Sequence, residues 1–127
     1  MDVTVDKVKG KSILVVEDHA DLAEVLTTML ARYGMRVSYA ESGEKALQQL
    51  EENVTDIILL DVLLPDMDGL DVVASVRQNE KLKHIPIIAI TAAWEKREPC
   101  LRRGCDGFLL KPFDAVGLVS RVSALVH

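Results

Sequence analysis

Aromatic residues are few. They make up 4 % of the 127 residues, so the core has to be aliphatic. Cysteine is scarcer still: the chain has two, Cys100 and Cys105, in a C-x4-C spacing with no second pair. That excludes a disulfide framework, and the pair reads as reduced, buried or half-buried thiols of a cytoplasmic protein. The three histidines, His19, His84 and His127, are scattered without ligand spacing and read as surface residues. Positive charge is in the minority, with 15 Lys and Arg against 20 Asp and Glu and a net charge of −5. A general nucleic-acid binder is excluded, because phosphate neutralisation needs a basic patch, and an anionic membrane surface is equally disfavoured. No apolar run approaches the roughly 18 residues of a membrane span. The opening MDVTVDKVKGKS lacks the apolar centre of a signal peptide. The length is that of one domain, at about 150 residues per domain. Such a chain buries roughly two-thirds of its unfolded surface and needs no metal or disulfide staple to fold. A second catalytic or DNA-binding domain is therefore not expected within it.

What the chain does have is five short apolar runs: Ile13–Val16, Val37–Ala40, Ile57–Leu60, Ile87–Ile90 and Phe108–Leu110. Three are almost continuously apolar and rich in β-branched residues, which suits strands buried on both faces of a parallel sheet. Helical patterns fill the gaps. Leu22, Val25, Leu26, Met29, Leu30 and Tyr33 form one helical stripe, closed by Gly34 as the C′ residue. Ser42 caps a second helix carrying Ala46, Leu47 and Leu50. Leu70, Val72, Val73 and Val76 mark a third. The fourth, around Trp94 to Arg103, contains Pro99, which a helix tolerates in its first turn, so it is expected to begin late. Asp114 caps a fifth, whose Leu118, Val119, Val122, Leu125 and Val126 face inward. The pattern is (βα)5, with right-handed crossovers placing helices on both faces of a doubly wound α/β sheet. Residues 1–11 read as a polar lead-in and residues 12–127 as the domain.

In such sheets ligands bind beyond the carboxyl ends of the strands. Those ends carry Glu17 and Asp18 after strand one, Asp61 after strand three, Thr91 after strand four, and Lys111 and Pro112 after strand five. Three carboxylates brought into one pocket repel one another unless a cation neutralises them. Mg²⁺ (or Mn²⁺) suits such a site, because it takes one or two carboxylates and keeps room for water and a phosphoryl oxygen. A carboxylate can itself be a nucleophile, with the metal and a lysine supplying positive charge to the phosphoryl oxygens.

The segments VVEDHAD, IILLDVLLPDMDG, IIAITA and GCDGFLLKPF together resemble the CheY-like receiver domain of two-component response regulators, from about Ser12 to Val126. The resemblance implies a flavodoxin-like five-stranded parallel sheet in the order 2-1-3-4-5. It implies that Asp61 is the phosphoacceptor, that Asp18 binds the metal directly and Glu17 through water, and that the Leu63 carbonyl completes the protein ligands. Lys111 would pair with Asp61 and the phosphoryl group, and the Lys111–Pro112 peptide would be cis. Thr91 would turn its hydroxyl to the phosphoryl oxygens, and Phe108, in the aromatic switch position, would turn inward as Thr91 moves. The implied partners are a histidine kinase or histidine phosphotransfer protein, docking near the first helix and the loop after strand five. A downstream protein or output domain would meet helix four, strand five and helix five, a face through which the family also dimerises. The implied setting is cytoplasmic. The protein would catalyse its own phosphorylation and dephosphorylation without acting on a separate substrate.

This chain departs from the pattern at three places. Phe108 lacks the hydroxyl of the tyrosine often found there, so its packing role survives without a hydrogen bond to a partner. The stretch from Thr91 to Lys111 is slightly short, which alters helix four. Leu63 and Ala93 flank the path of the water that hydrolyses the aspartyl phosphate, and both are apolar, so self-dephosphorylation is expected to be slow. Other classes are weaker. Asp66-Met67-Asp68-Gly69 echoes the DxDG signature of a phosphatase, but it follows Pro65 and not a strand, and reads as a polar turn. A flavin carrier needs a phosphate-cradling first loop, whereas Glu17-Asp18-His19-Ala20-Asp21 repels phosphate. A receiver fold kept purely as an interaction scaffold would not need the acceptor and metal residues, all of which are present. The opening Met favours an expected place at the start of the chain, and output is expected through another protein or a further part of a longer one.

Overall fold

The computed structural model describes residues 3–126. Five strands, β1 (Ser12–Val16), β2 (Arg36–Ala40), β3 (Ile57–Asp61), β4 (Ile87–Thr91) and β5 (Gly107–Leu110), form one parallel sheet in the order β2-β1-β3-β4-β5. The expected order and strand count are both observed. The three nearly continuous apolar runs are the three central strands. β3 and β4 are buried at every residue, and β1 at all but its first. The other two runs form the edges, where part of each strand meets solvent.

Six helices cover the sheet: α1 (Val3–Val8), α2 (Ala20–Arg32), α3 (Gly43–Glu52), α4 (Gly69–Gln78), α5 (Arg97–Arg103) and α6 (Ala115–Leu125). The five helices expected from the sequence are α2 to α6, of which α2 to α5 are crossovers and α6 follows the last strand. Alternation along the strands divides the core in two. Ile13, Val15, Ile57, Leu59, Ile88 and Ile90 pack under α1, α2 and α6. Leu14, Val16, Ile58, Leu60, Ile87 and Ala89 pack under α3, α4 and α5. The core is aliphatic, as the scarcity of aromatic residues requires.

Helix ends follow the local chemistry. Gly34 adopts φ +86° after α2, and the N–H groups of Gly34 and Met35 bond back to Ala31 and Leu30 in a Schellman turn. Ser42 Oγ accepts from Lys45 N, and Asp114 Oδ1 accepts from Gly117 N. A 3₁₀ turn over Trp94–Lys96 precedes α5, so Pro99 falls in the first turn, where its missing N–H costs nothing. At the opposite end of the sheet, the Arg77 guanidinium donates to the carbonyls of Lys83, Ile85 and Gly104 and to Asp106 Oδ2, locking α4 to the starts of β4 and β5.

Two expectations need correction. The lead-in over residues 1–11 is not merely polar: Val3–Val8 is helical, and Val8 is fully buried beside Met35 and Val126. Val8 stands between lysines, in a stretch too short to carry a readable periodicity. Val25, placed on the inward stripe of the first crossover helix, is 56 % exposed. Leu26 and Leu30 reach the core, whereas Val25, on the flank of the stripe, lines an open surface groove with Pro112 and Phe113. His127 falls outside the described residues.

Candidate functional site

The sheet register brings the carboxyl ends of β1, β3, β4 and β5 to one rim. Val16 stands beside Leu60, Asp61 beside Ile90, and Thr91 beside Leu110. Glu17 and Asp61, both buried, therefore face each other across the gap between β1 and β3. Lys111 arrives from the loop after β5, tied to β4 by its own N–H to Thr91 O at 2.8 Å.

Lys111 Nζ is the hub. It donates to Asp61 Oδ2 at 2.9 Å and to Glu17 Oε1 at 3.0 Å. Partial burial works against its charge, but the hydrogen bonds to Asp61 and Glu17 outweigh that and raise its pKa above the ordinary lysine value. The sign follows: the ammonium's contribution to stability is full below the ordinary lysine pKa and fades only as the pH rises through the still higher folded value. Asp61 Oδ1 accepts from Leu63 N at 2.9 Å, which folds the loop after β3 back over the carboxylate. The Lys111–Pro112 peptide bond is cis.

Asp18 completes the group from the start of the loop after β1. Its Oδ1 is buried and has no hydrogen-bond partner. A buried carboxylate oxygen left without a donor is costly unless a cation meets it. Glu17, Asp18, His19 and Asp61 each bring one ligand atom to within 4.8 Å of the others. Three carboxylates, one of them with an orphaned oxygen, fit a hard divalent ion, so the donor set suits the metal expected from the sequence. His19 was assigned to the surface, and its ring is indeed exposed, yet Nδ1 lies 3.2 Å from Glu17 Oε2 and 3.5 Å from Asp18 Oδ1. Its place directly after the Glu17-Asp18 pair was the available signal.

On the far wall Thr91 is buried, and its Oγ1 accepts from Ala93 N at 3.1 Å. Phe108 is 7 % exposed and meets the edge of the Trp94 ring at a centroid distance of 6.3 Å. The ring already occupies the inward position, since a phenyl without a hydroxyl gains nothing by facing water. Trp94 is exposed and carries the Arg97 guanidinium over its face at 5.8 Å. Leu63 and Ala93 stand at the rim, with Leu63 half-exposed and neither side chain able to hydrogen-bond.

The DxDG resemblance dissolves in three dimensions. Both carboxylate oxygens of Asp66 accept from the N-terminal amides of α3, Gly43 N and Glu44 N, each at 3.0 Å. Those bonds lower the Asp66 pKa. Asp68 caps α4 through Leu70 N. Neither carboxylate is a strand-end nucleophile. Cys100 and Cys105 are free and buried, and burial pushes both thiols up, Cys105 to about 12, so neither offers a reactive thiolate.

Residues 13–123 match the family model of the response regulator receiver domain. The chain belongs to the receiver family. It is 36 % identical over 120 residues to the transcriptional regulatory protein GltR of Pseudomonas aeruginosa, covering 93 % of this chain and 50 % of GltR. Among solved structures, the chemotaxis response regulator CheY4 of Vibrio cholerae superposes with a TM-score of 0.87 at 28 % identity, covering 93 % of this chain and 100 % of that one. The receiver domain of the sensor histidine kinase PA1611 of Pseudomonas aeruginosa, solved with a magnesium ion coordinated in its active site cleft, gives 0.81 at 36 % identity, covering 90 % and 94 %. This chain thus spans about half the length of a regulator such as GltR. Receiver domains are signalling domains rather than conventional enzymes; they bind Mg²⁺ at an acidic pocket and interact with histidine kinases and phosphotransfer partners. Among the described residues of this receiver, no helix is long and apolar enough to cross a membrane.

Proposed function

We propose that this receiver is switched by phosphorylation of Asp61. The observation that carries the reading is the Lys111 ammonium held on Asp61 and Glu17 beside the orphaned Asp18 oxygen. Asp18, Asp61 and the Leu63 carbonyl would hold Mg²⁺, with Glu17 acting through water. The bound metal supplies positive charge against the phosphoryl oxygens.

A carboxylate oxygen of Asp61 attacks phosphorus as the P–N bond to the donor's phosphohistidine breaks, and the leaving imidazole keeps that electron pair. Lys111, already ionised and anchored on Asp61 and Glu17, comes to pair with the phosphoryl oxygens as well. Because it is held in place beforehand, little reorganisation is needed as charge develops. The donor has a docking place in the apolar groove of about 430 Å³ between α2 and the loop after β5, which Val25, Met29, Pro112 and Phe113 line beside Lys111. The exposure of Val25 has a use in this reading.

Once Asp61 carries the phosphoryl group, the Thr91 hydroxyl turns to it and gives up the bond from Ala93 N. That bond holds the turn leading to Trp94 and α5. Its loss moves the Trp94 ring against Phe108, and the altered surface is α5, β5 and α6, the face offered to an output domain, a target protein or a second receiver. Such a shift redistributes two existing conformations.

Acetyl phosphate with Mg²⁺, followed by intact-mass analysis, is expected to add one phosphoryl group to the protein and none to Asp61→Asn. An unmodified wild-type protein, or an equally modified variant, refutes the reading and leaves an interaction scaffold. Trp94 is the chain's sole tryptophan. Its fluorescence is expected to change when a beryllofluoride mimic of the phosphoryl group is added with Mg²⁺, and to stay constant in Asp61→Asn.

A further inference from the structure

We propose that His19 is a ring-nitrogen ligand at the acidic pocket and gives that pocket a preference for a divalent first-row transition ion such as Mn²⁺ over Mg²⁺. The proposal rests on the pocket being the metal site, and it concerns which metal the site selects.

Both carboxylate oxygens of Glu17 already accept a hydrogen bond. Oε1 accepts from Lys111 Nζ, while Oε2 accepts from His19 N at 3.1 Å and lies 3.2 Å from His19 Nδ1. The Nδ1 position therefore adds a second contact to an oxygen that already has a donor. On its other side, 3.5 Å away, is Asp18 Oδ1, the buried oxygen with no hydrogen-bond partner. The ring nitrogen thus stands between an acceptor that has no need of it and one that lacks any donor.

A shared cation resolves both. Two ligands each about 2.1 Å from one ion stand about 3.0–3.4 Å apart for octahedral or tetrahedral angles. The separations of Nδ1 from the Glu17 and Asp18 oxygens, 3.2 and 3.5 Å, fall close to that spacing. Glu17, Asp18, His19 and Asp61 each offer one ligand atom within 4.8 Å of the others, so one ion can meet the group. The ring makes no capping bond to α2, although His19 is its N-cap residue, and it is exposed, so it is not committed elsewhere. Coordination through Nδ1 requires the neutral tautomer with its proton on Nε2, which faces solvent at no cost.

The donor types set the selectivity. Mg²⁺ takes oxygen ligands in a strict octahedron and gains little from imidazole. Imidazole nitrogen strengthens binding of the later divalent transition ions, and Mn²⁺ accepts both oxygen and nitrogen. A pocket of carboxylates with an imidazole at its rim therefore binds Mg²⁺ through oxygen alone and a transition ion through oxygen and nitrogen.

The test uses the full chain without a polyhistidine tag, as wild type and His19→Gln. Titration with Mn²⁺ in competition with Mg²⁺ is expected to give a Mn²⁺-over-Mg²⁺ preference that falls about tenfold in His19→Gln, the scale on which coordination-shell changes alter metal affinity. Mg²⁺ affinity is expected to stay within about twofold. Pulsed electron paramagnetic resonance of the Mn²⁺-loaded wild type is expected to reveal coupling to a directly bound nitrogen that His19→Gln lacks. Bound Mn²⁺ without that coupling, or an unchanged preference, overturns the role of His19 and leaves the pocket's function intact. Failure of the wild type to bind either ion overturns the metal site and this proposal together.

Discussion

Gly69→Ala is expected to destabilise the protein by about 3 kcal/mol, at the upper end of what overpacking costs when the neighbours cannot yield. A Cβ at residue 69 would stand 2.4 Å from Val62 Cα, 2.8 Å from its carbonyl oxygen and 2.9 Å from its carbonyl carbon. All three are backbone atoms, so no rotamer change relieves the clash. The Gly69 N–H also bonds to that same Val62 oxygen at 3.0 Å, closing the loop between β3 and α4 at its base. Val62 lies between Asp61 and Leu63, whose N–H holds the Asp61 carboxylate. Relief of the clash therefore displaces the site as well as the fold. The expected results are a lowered urea midpoint and a slowed uptake of phosphoryl from acetyl phosphate. Gly107→Ala is the control. A Cβ there meets only side chains of Ile88 and Leu125, at 3.5 and 3.6 Å, and is expected to change stability by less than about 1 kcal/mol. Equal losses in the two variants would show that the approach of Gly69 to Val62 is not what constrains the loop.

The double variant Leu63→Asn, Ala93→Glu is expected to lose its phosphoryl group at least about tenfold faster than the wild type. Hydrolysis of an aspartyl phosphate needs a water aligned opposite the bond that breaks, and a polar group that orients a reacting water or accepts its proton is typically worth about 10²–10⁴ in rate. Here both backbones are fastened at the site. Leu63 N donates to Asp61, and Ala93 N donates to Thr91. The two side chains consequently stand at its rim, and one is an aliphatic chain 50 % exposed while the other is a methyl group. Neither can order a water. Both positions lie outside the core, so the substitutions are expected to leave the fold intact. The measurement is the decay of the phosphoryl-bearing mass after acetyl phosphate is removed. An unchanged lifetime would mean that the apolar rim is not what limits hydrolysis.

Such a slow reset, if Leu63 and Ala93 set it, suits a receiver whose signal outlasts its input. Phe108 bears on the same balance. With no hydroxyl to draw it outward, the ring already sits in the core against Trp94. In the switch proposed above, the step that remains is the movement of Thr91 and of the turn that carries Trp94.

Much of the fold is legible in the chain because short-range physics writes it there. Continuously apolar runs rich in β-branched residues, at Ile13–Val16, Ile57–Leu60 and Ile87–Ile90, are satisfied by burial on both faces. Ser42, Asp114, Gly34 and the late start forced by Pro99 are local rules of helix ends, and each holds in the structure. The strand order was available only through the family resemblance, since nothing in the periodicity says which strand lies beside which. The residues at the strand ends could be named one by one for the same reason: each follows its own strand directly.

What the sequence by itself determined was the set of elements and the inventory of charged groups at one rim of the sheet. The tertiary structure alone decided how those groups are partnered. It joined Lys111 to both Asp61 and Glu17 and left one Asp18 oxygen without a donor. It occupied Asp66 at the start of α3, removing a rival nucleophile, and it buried Val8 while exposing Val25. The physical reason is the same throughout. Propensity and periodicity act over a few neighbouring residues, whereas the worth of a carboxylate, an imidazole or a valine depends on atoms brought close from up to 94 positions away along the chain.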